Sequence, residues 1–191
     1  MKKLLFSCLL AAGFGFTALA QFPSVDKSPA DIAYFPEKAS KRLFSETVEE
    51  QKSLKPKIKI VYSRPYKSGR EIFGELIKFG EVWRVGANEE AEITFYQNVK
   101  IGETNVKAGT YTLFVIPNEK SWTVIINKDV NIWGAYKFNE ANDVARVNVP
   151  VSESDDVIEN FSIAMVDKGE NTAHINFGWD KTFVALPVVF K

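Results

Sequence analysis

From Lys57 to the carboxyl end, apolar side chains recur at every second residue, and that spacing limits the fold more than anything else in the chain. Ile58, Ile60 and Tyr62 alternate with Lys57 and Lys59, and Ile93 and Phe95 alternate with Glu92, Thr94 and Tyr96. A period of two belongs to a strand with one buried face. The segment Val99–Val106 turns at Gly102, and Thr110–Ile116 (TYTLFVI) is apolar on both faces in its second half, which predicts a central strand. Pro117-Asn118-Glu119-Lys120 supplies turn chemistry, after which Trp122, Val124 and Ile126 return antiparallel. Ala145, Val147, Val149 and Val151 share one face of the next strand, with Val144, Arg146 and Asn148 on the other. Phe161, Ile163 and Met165 follow, then a turn at Gly169, then Ala173, Ile175 and Phe177. Pro187 interrupts the closing stretch Phe183–Phe190, as suits an edge strand. Eight or nine short strands at this spacing predict an all-β protein, an antiparallel β-sandwich that is jelly-roll-like or barrel-like, over residues 57–191.

The beginning of the chain reads differently. Lys2 and Lys3, the apolar run Leu4–Phe16 and the box Ala18-Leu19-Ala20 have the pattern of a secretory signal peptide over residues 1–20. The apolar run continues past Cys8, so lipidation at that cysteine is not expected. The reading predicts a periplasmic or secreted protein, cleaved near Ala20, with no membrane insertion of the mature chain. Cleavage removes the one cysteine, so the mature protein relies on its apolar core without disulfides. Losing Lys2 and Lys3 leaves 22 basic and 24 acidic residues, a net charge of −2. That balance argues against nucleic acid, or any general attraction to anionic lipid, as a partner. Residues 21–56 carry weak periodicity and predict a solvated N-terminal arm, with a short helix near Glu37–Phe44.

Between the strands ending at Tyr62 and beginning near Glu92 lies the richest stretch, YSRPYKSGREIFGELIKFGEVWRVGANE. It holds Arg64, Arg70 and Arg84, three of only five arginines in a chain with nineteen lysines. A guanidinium clamps carboxylates or phosphates bidentately and stacks on aromatic faces. The candidate site is therefore an arginine and tryptophan surface of Arg64, Arg70, Trp83, Arg84, Asn88 and Glu89, with Trp133, Asp143 and Arg146 from later loops. Trp83 or Trp133 would be a stacking wall for a polar or anionic small molecule. Against this stands an architectural reading, in which the arginines bond backbone carbonyls and neighbouring carboxylates to hold a long loop folded. Trp122 shares phase with Val124 and Ile126 and belongs to the core, and Trp179 to the core or its rim.

Catalytic and metal signatures are sparse. His174, the single histidine, has no co-ligands and sits at the solvent phase of its strand, so no metal site and no cofactor are expected. Neither a nucleophile elbow nor a phosphate loop is present. Glu81, Glu89 and Asp143 are the carboxylates that would serve acid/base chemistry if the fold brought them together.

The order and spacing of six motifs are specific. They are Tyr62-Ser63-Arg64-Pro65, Gly69–Gly74 (GREIFG), Glu81–Glu89 (EVWRVGANE), Ala108–Pro117 (AGTYTLFVIP), Trp133-Gly134-Ala135-Tyr136 and Asp143-Val144-Ala145-Arg146. Together they resemble a family of secreted bacterial β-proteins, domain of unknown function 2911, over roughly residues 28 to 190. The resemblance implies an exported, β-rich single domain. It carries over Arg64, Arg70, Trp83, Arg84, Asn88, Trp133, Asp143 and Arg146 as motif residues, and Phe35–Leu54 fits the pattern least. The expected function is a binding module at the cell envelope for a polar or anionic ligand, a glycan or an envelope protein. The alternative is an envelope hydrolase of glycoside type using Glu81, Glu89 or Asp143.

Overall fold

In the computed structural model, residues 22–191 are described; the signal peptide expected over residues 1–20, with Cys8 and the expected cleavage site near Ala20, lies outside the described residues. The alternation becomes nine strands: β1 (Ala30–Phe35), β2 (Ile58–Ser63), β3 (Ala91–Phe95), β4 (Val99–Ile101), β5 (Thr104–Val106), β6 (Gly109–Pro117), β7 (Ser121–Asn127), β8 (Asp143–Gly169) and β9 (Thr172–Phe190). All ladders are antiparallel, and the strands form one sheet in the order β1-β2-β3-β6-β7-β8-β9-β4-β5. In β2 the alternation is complete: Ile58, Ile60 and Tyr62 are buried and Lys59, Val61 and Ser63 are half-buried. As expected for a central strand, β6 buries Leu113, Phe114 and Val115 in succession.

Two strands are longer than the sequence suggests, and their length shapes the molecule. β8 pairs with β7 from Asp143 to Pro150, then with β9 from Val151 onward, with register shifts between Glu153 and Ser162. One continuous strand thus belongs to both halves of the sheet, which turns there to cover its own apolar face. The expected edge strand at Phe183–Phe190 is corrected: β9 runs from β8 to β4, and Pro187 falls between the last pair with β8 (Val184) and the first with β4 (Val188). A missing N–H is harmless between two ladders. The solvated arm is also corrected. Ala30–Phe35 adds β1 to β2 over six registered pairs, followed by a 3-10 helix at Glu37–Phe44, where a short helix was expected, and by α1 (Val48–Ser53).

The halves face each other across an aromatic core. Trp83 stacks on Trp179 at 6.1 Å and meets Trp122 edge-on at 5.9 Å and Phe161 at 5.0 Å. Phe73 packs on Trp122 at 5.0 Å between ring centres. Such pairs contribute about 0.5–1.5 kcal/mol each beyond area burial.

The sheet does not close into a barrel. Where β1 and β2 approach the far half of β8, side chains span the seam instead of a ladder. The Tyr62 hydroxyl donates to the Ile163 carbonyl (3.4 Å) and accepts from the Ile163 N–H (3.0 Å). Arg64 Nε donates to the Phe161 carbonyl at 3.2 Å, and Phe35 stacks on Phe190 at 5.3 Å.

Candidate functional site

The long connection from β2 to β3 is anchored by Trp83. Its backbone exchanges both hydrogen bonds with Val115 of β6 (2.7 and 3.0 Å), and its indole N–H donates to the Gly86 carbonyl at 3.1 Å. This indole, 4% exposed, is core, so the expected stacking role for Trp83 is corrected: it has no face to offer a ligand. Just beyond it the backbone is strained. Val85, a β-branched residue, has φ of +60°, and Asn88 follows at +63°. Between them a Cβ on Gly86 would stand 2.9 Å from the Ser63 carbonyl oxygen, so only glycine lets the loop lie against the end of β2. Positive φ at a β-branched residue is uncommon and persists only where surrounding contacts over-determine it. The Ala91 N–H closes the loop onto the Arg84 carbonyl at 3.1 Å.

A second loop, between β7 and β8, is set by a polar cluster at its base. Asn127 is fully buried, and its amide donates to the Asn139 carbonyl (3.0 Å) and to Asp143 Oδ1 (2.7 Å) while accepting from the Asp129 N–H (2.9 Å). Asp143 Oδ2 takes Arg146 Nε at 2.7 Å, and Arg146 Nη1 reaches Glu140 at 2.9 Å. Both Asn142 Nδ2 contacts go to the Asp129 carboxylate at 2.8 Å. Thr112, also fully buried, ties the loop to β6 through its hydroxyl and the Asp129 carbonyl at 2.6 Å. Asp143 and Arg146 therefore hold the loop up and do not face the space it covers.

That space is a cavity of about 330 Å³ on the outer face of β2 and β3. Its floor is Val61 and Glu92, which oppose each other in the ladder. Glu89 and Glu90 come from the first loop, and Asn131, Ile132 and Trp133 from the second. Glu90 joins the two loops, its Oε1 accepting the Ile132 N–H at 2.9 Å. The Trp133 indole is 61% exposed at the rim, with Tyr136 exposed nearby in the same loop. Arg84 runs beneath the turn that follows, where a Cβ on Gly134 would lie 3.8 Å from Arg84 Cδ. Arg84 Nε and Glu90 Oε2 are buried without a hydrogen-bond partner, each an atom whose lost hydration is uncompensated by the protein itself. The lining thus carries three carboxylates, one amide and one aromatic face, and no cation.

The expected arginine surface does not converge. Arg64 is bonded to Asp31 (2.9 Å), Ser162 and the Phe161 carbonyl, and Arg70 to the Tyr66 and Lys67 carbonyls of its own loop. Those two follow the architectural reading. Of the motif residues, the structure brings Trp133 and Glu89 to one cavity, keeps Arg84 under the Gly134 turn and Asn88 in the strained loop, neither in the lining, and leaves Glu81 exposed elsewhere. His174 is half-buried, its pKa lowered first by desolvation and then by the Lys168 charge. Sequence reasoning missed Glu90, Glu92 and Asn131. Glu92 occupies an ordinary polar phase of β3, and Asn131, at φ of +57°, carries a turn signal only.

Residues 45–188 match the family model described as Protein of unknown function (DUF2911), and the chain belongs to that family. No curated protein and no solved structure matches the chain.

Proposed function

We propose that this member of the family is a binding module, acting after export at the cell envelope, and that its ligand is a neutral hydroxyl-rich molecule, a glycan, held against Trp133. One observation carries the reading. An exposed indole stands at the mouth of a cavity whose polar lining is Glu89, Glu90, Glu92 and Asn131. Carboxylates and amides accept and donate to hydroxyls, the indole offers a flat apolar face to a sugar ring, and three like charges repel an anion. The anionic ligand expected from the arginines is thereby disfavoured at this cavity. Its 330 Å³ suits one or two sugar units at the lower end of small-molecule sites.

The test is a tryptophan-fluorescence titration with cellobiose, maltotriose and N,N′-diacetylchitobiose, against galacturonate as the acidic control. Trp83, Trp122 and Trp179 are buried, so a ligand-dependent change reports Trp133. Affinities of order millimolar, ~4 kcal/mol, are expected for the neutral sugars and loss of the signal in Trp133→Ala. Tighter binding of galacturonate, or a response that survives Trp133→Ala, would sink the proposal.

The hydrolase reading is retained on a narrower footing, because Glu89 shares the cavity with Glu90 and Glu92 while Asp143 is engaged by Asn127 and Arg146. In an enzyme Glu89→Gln would abolish release of reducing ends and leave sugar affinity nearly intact. Release undiminished in that variant would remove Glu89 from the reaction.

A further inference from the structure

The turn between the 3-10 helix Glu37–Phe44 and α1 carries an apolar tip that the fold does not cover. Leu43 is 74% exposed, Phe44 88% and Val48 58%. The tip is held in place, not loose: Ala39 is fully buried beneath it, Thr47 caps α1 through the Glu50 N–H (3.1 Å), and Gln51 Nε2 donates to the Ser45 carbonyl (3.2 Å). Presenting a phenylalanine and a leucine rigidly to water has no benefit for folding.

Beside this tip lie two adjoining hollows of about 260 and 590 Å³. Both are lined by Arg42, Lys52 and Lys55; the first adds Leu43 and Val48, the second Lys57 and Tyr96. Neither is lined by a carboxylate. Glu49 and Glu50 sit in the first turn of α1 and Glu46 in the turn before it, outside both linings. Among the described residues, Arg42, Lys52 and Lys55 take part in no ion pair, and Lys57 Nζ lies 4.7 Å over the Phe190 ring.

We infer that this corner is a docking surface for an anionic lipid bilayer, Leu43, Phe44 and Val48 entering the headgroup region while Arg42, Lys52 and Lys55 meet lipid phosphates. Charge complementarity selects the occupant. A protein interface would be served by the apolar tip alone, whereas uncompensated cations ringing a short apolar wedge are what a negatively charged interface attracts. A single weak apolar anchor gives only marginal attachment, and the cations are the second signal that makes it stable. The net charge of the chain, which argues against general attraction to anionic lipid, does not govern contacts within a Debye length of about 8 Å at physiological salt. Docking here leaves the Trp133 cavity, built on other elements, free to work.

The experiment is co-sedimentation of the purified protein with vesicles of phosphatidylcholine containing phosphatidylglycerol, and with vesicles of phosphatidylcholine alone. The expected result is binding to the anionic vesicles, at least tenfold weaker to the neutral ones and lost in high salt. Phe44→Asp, and separately the pair Lys52→Glu and Lys55→Glu, lower it at least tenfold with an unchanged circular dichroism spectrum, since all three side chains are at the surface. No binding, equal binding to both vesicles, or variants that bind as wild type would overturn the inference. So would concentration-dependent self-association abolished by Phe44→Asp, which would assign the tip to a second copy of the chain. Displacement from vesicles by inorganic phosphate at low millimolar concentration and constant ionic strength would likewise assign the hollows to free phosphate.

Discussion

Tyr62→Phe removes one oxygen atom from the seam and nothing else. In the wild type that oxygen meets both polar groups of the Ile163 backbone, accepting the N–H at 3.0 Å and donating to the carbonyl at a longer 3.4 Å. Tyr62 is 4% exposed and Ile163 6%, so water does not readily replace it. The short bond contributes about 1 kcal/mol net, and leaving a buried N–H unpaired costs about 1–3 kcal/mol, so a loss of ~2 kcal/mol is expected. For a domain of this size that lowers Tm by about 4–8 °C. Urea denaturation followed by fluorescence gives the first number, and its pH dependence gives a second. Burial, the leading cause, raises the Tyr62 hydroxyl above its ordinary pKa of 10.0. Below pH 10.0 the group is protonated in both states and its contribution is fully present. Between that pH and the higher folded value, only the folded state keeps the proton, so stability falls as pH rises. Tyr62→Phe should be less stable at pH 7 and lack this part of the alkaline decline. A change under about 0.5 kcal/mol would refute the claim that the hydroxyl replaces a strand pair across the seam.

Two further substitutions probe the loops that make the cavity. Gly86→Ala places a Cβ 2.9 Å from the Ser63 carbonyl oxygen at φ of +148°, and is expected to cost about 1–3 kcal/mol by thermal denaturation; a neutral result would mean that the loop does not rest on β2. Asn127→Ala leaves Asp143 Oδ1, the Asn139 carbonyl and the Asp129 N–H without their partner, at about 1–3 kcal/mol for each group that stays buried. Faster amide exchange at residues 128–142 should accompany it, and unchanged exchange there would show that the loop stands without Asn127.

How much of this was legible beforehand depends on the range of the interaction. Period-two alternation is a local property, so the strands containing Ile58, Ile93, Trp122 and Ala145 could be read residue by residue, and the all-β class with them. Trp122 could be placed in the core because its strand neighbours share its phase. β1 was not legible: Ile32, Ala33, Tyr34 and Phe35 are apolar in succession, and only the ladder to Ile58–Ser63 makes them a strand.

The sequence by itself determined the strand-forming pattern, the family and the two loops rich in arginine, tryptophan and glycine. The tertiary structure decided what those loops do. Trp83 and Trp133 look alike in sequence, yet backbone bonds to Val115 draw one into the core while the cluster at Asn127 holds the other at the rim. Arg64 and Arg70 are claimed by carbonyls and side chains that no local pattern identifies. Val61, Glu92 and Asn131 meet because the sheet sets their distance, and a hydrogen bond or a cavity depends on that distance in space, whatever the separation along the chain.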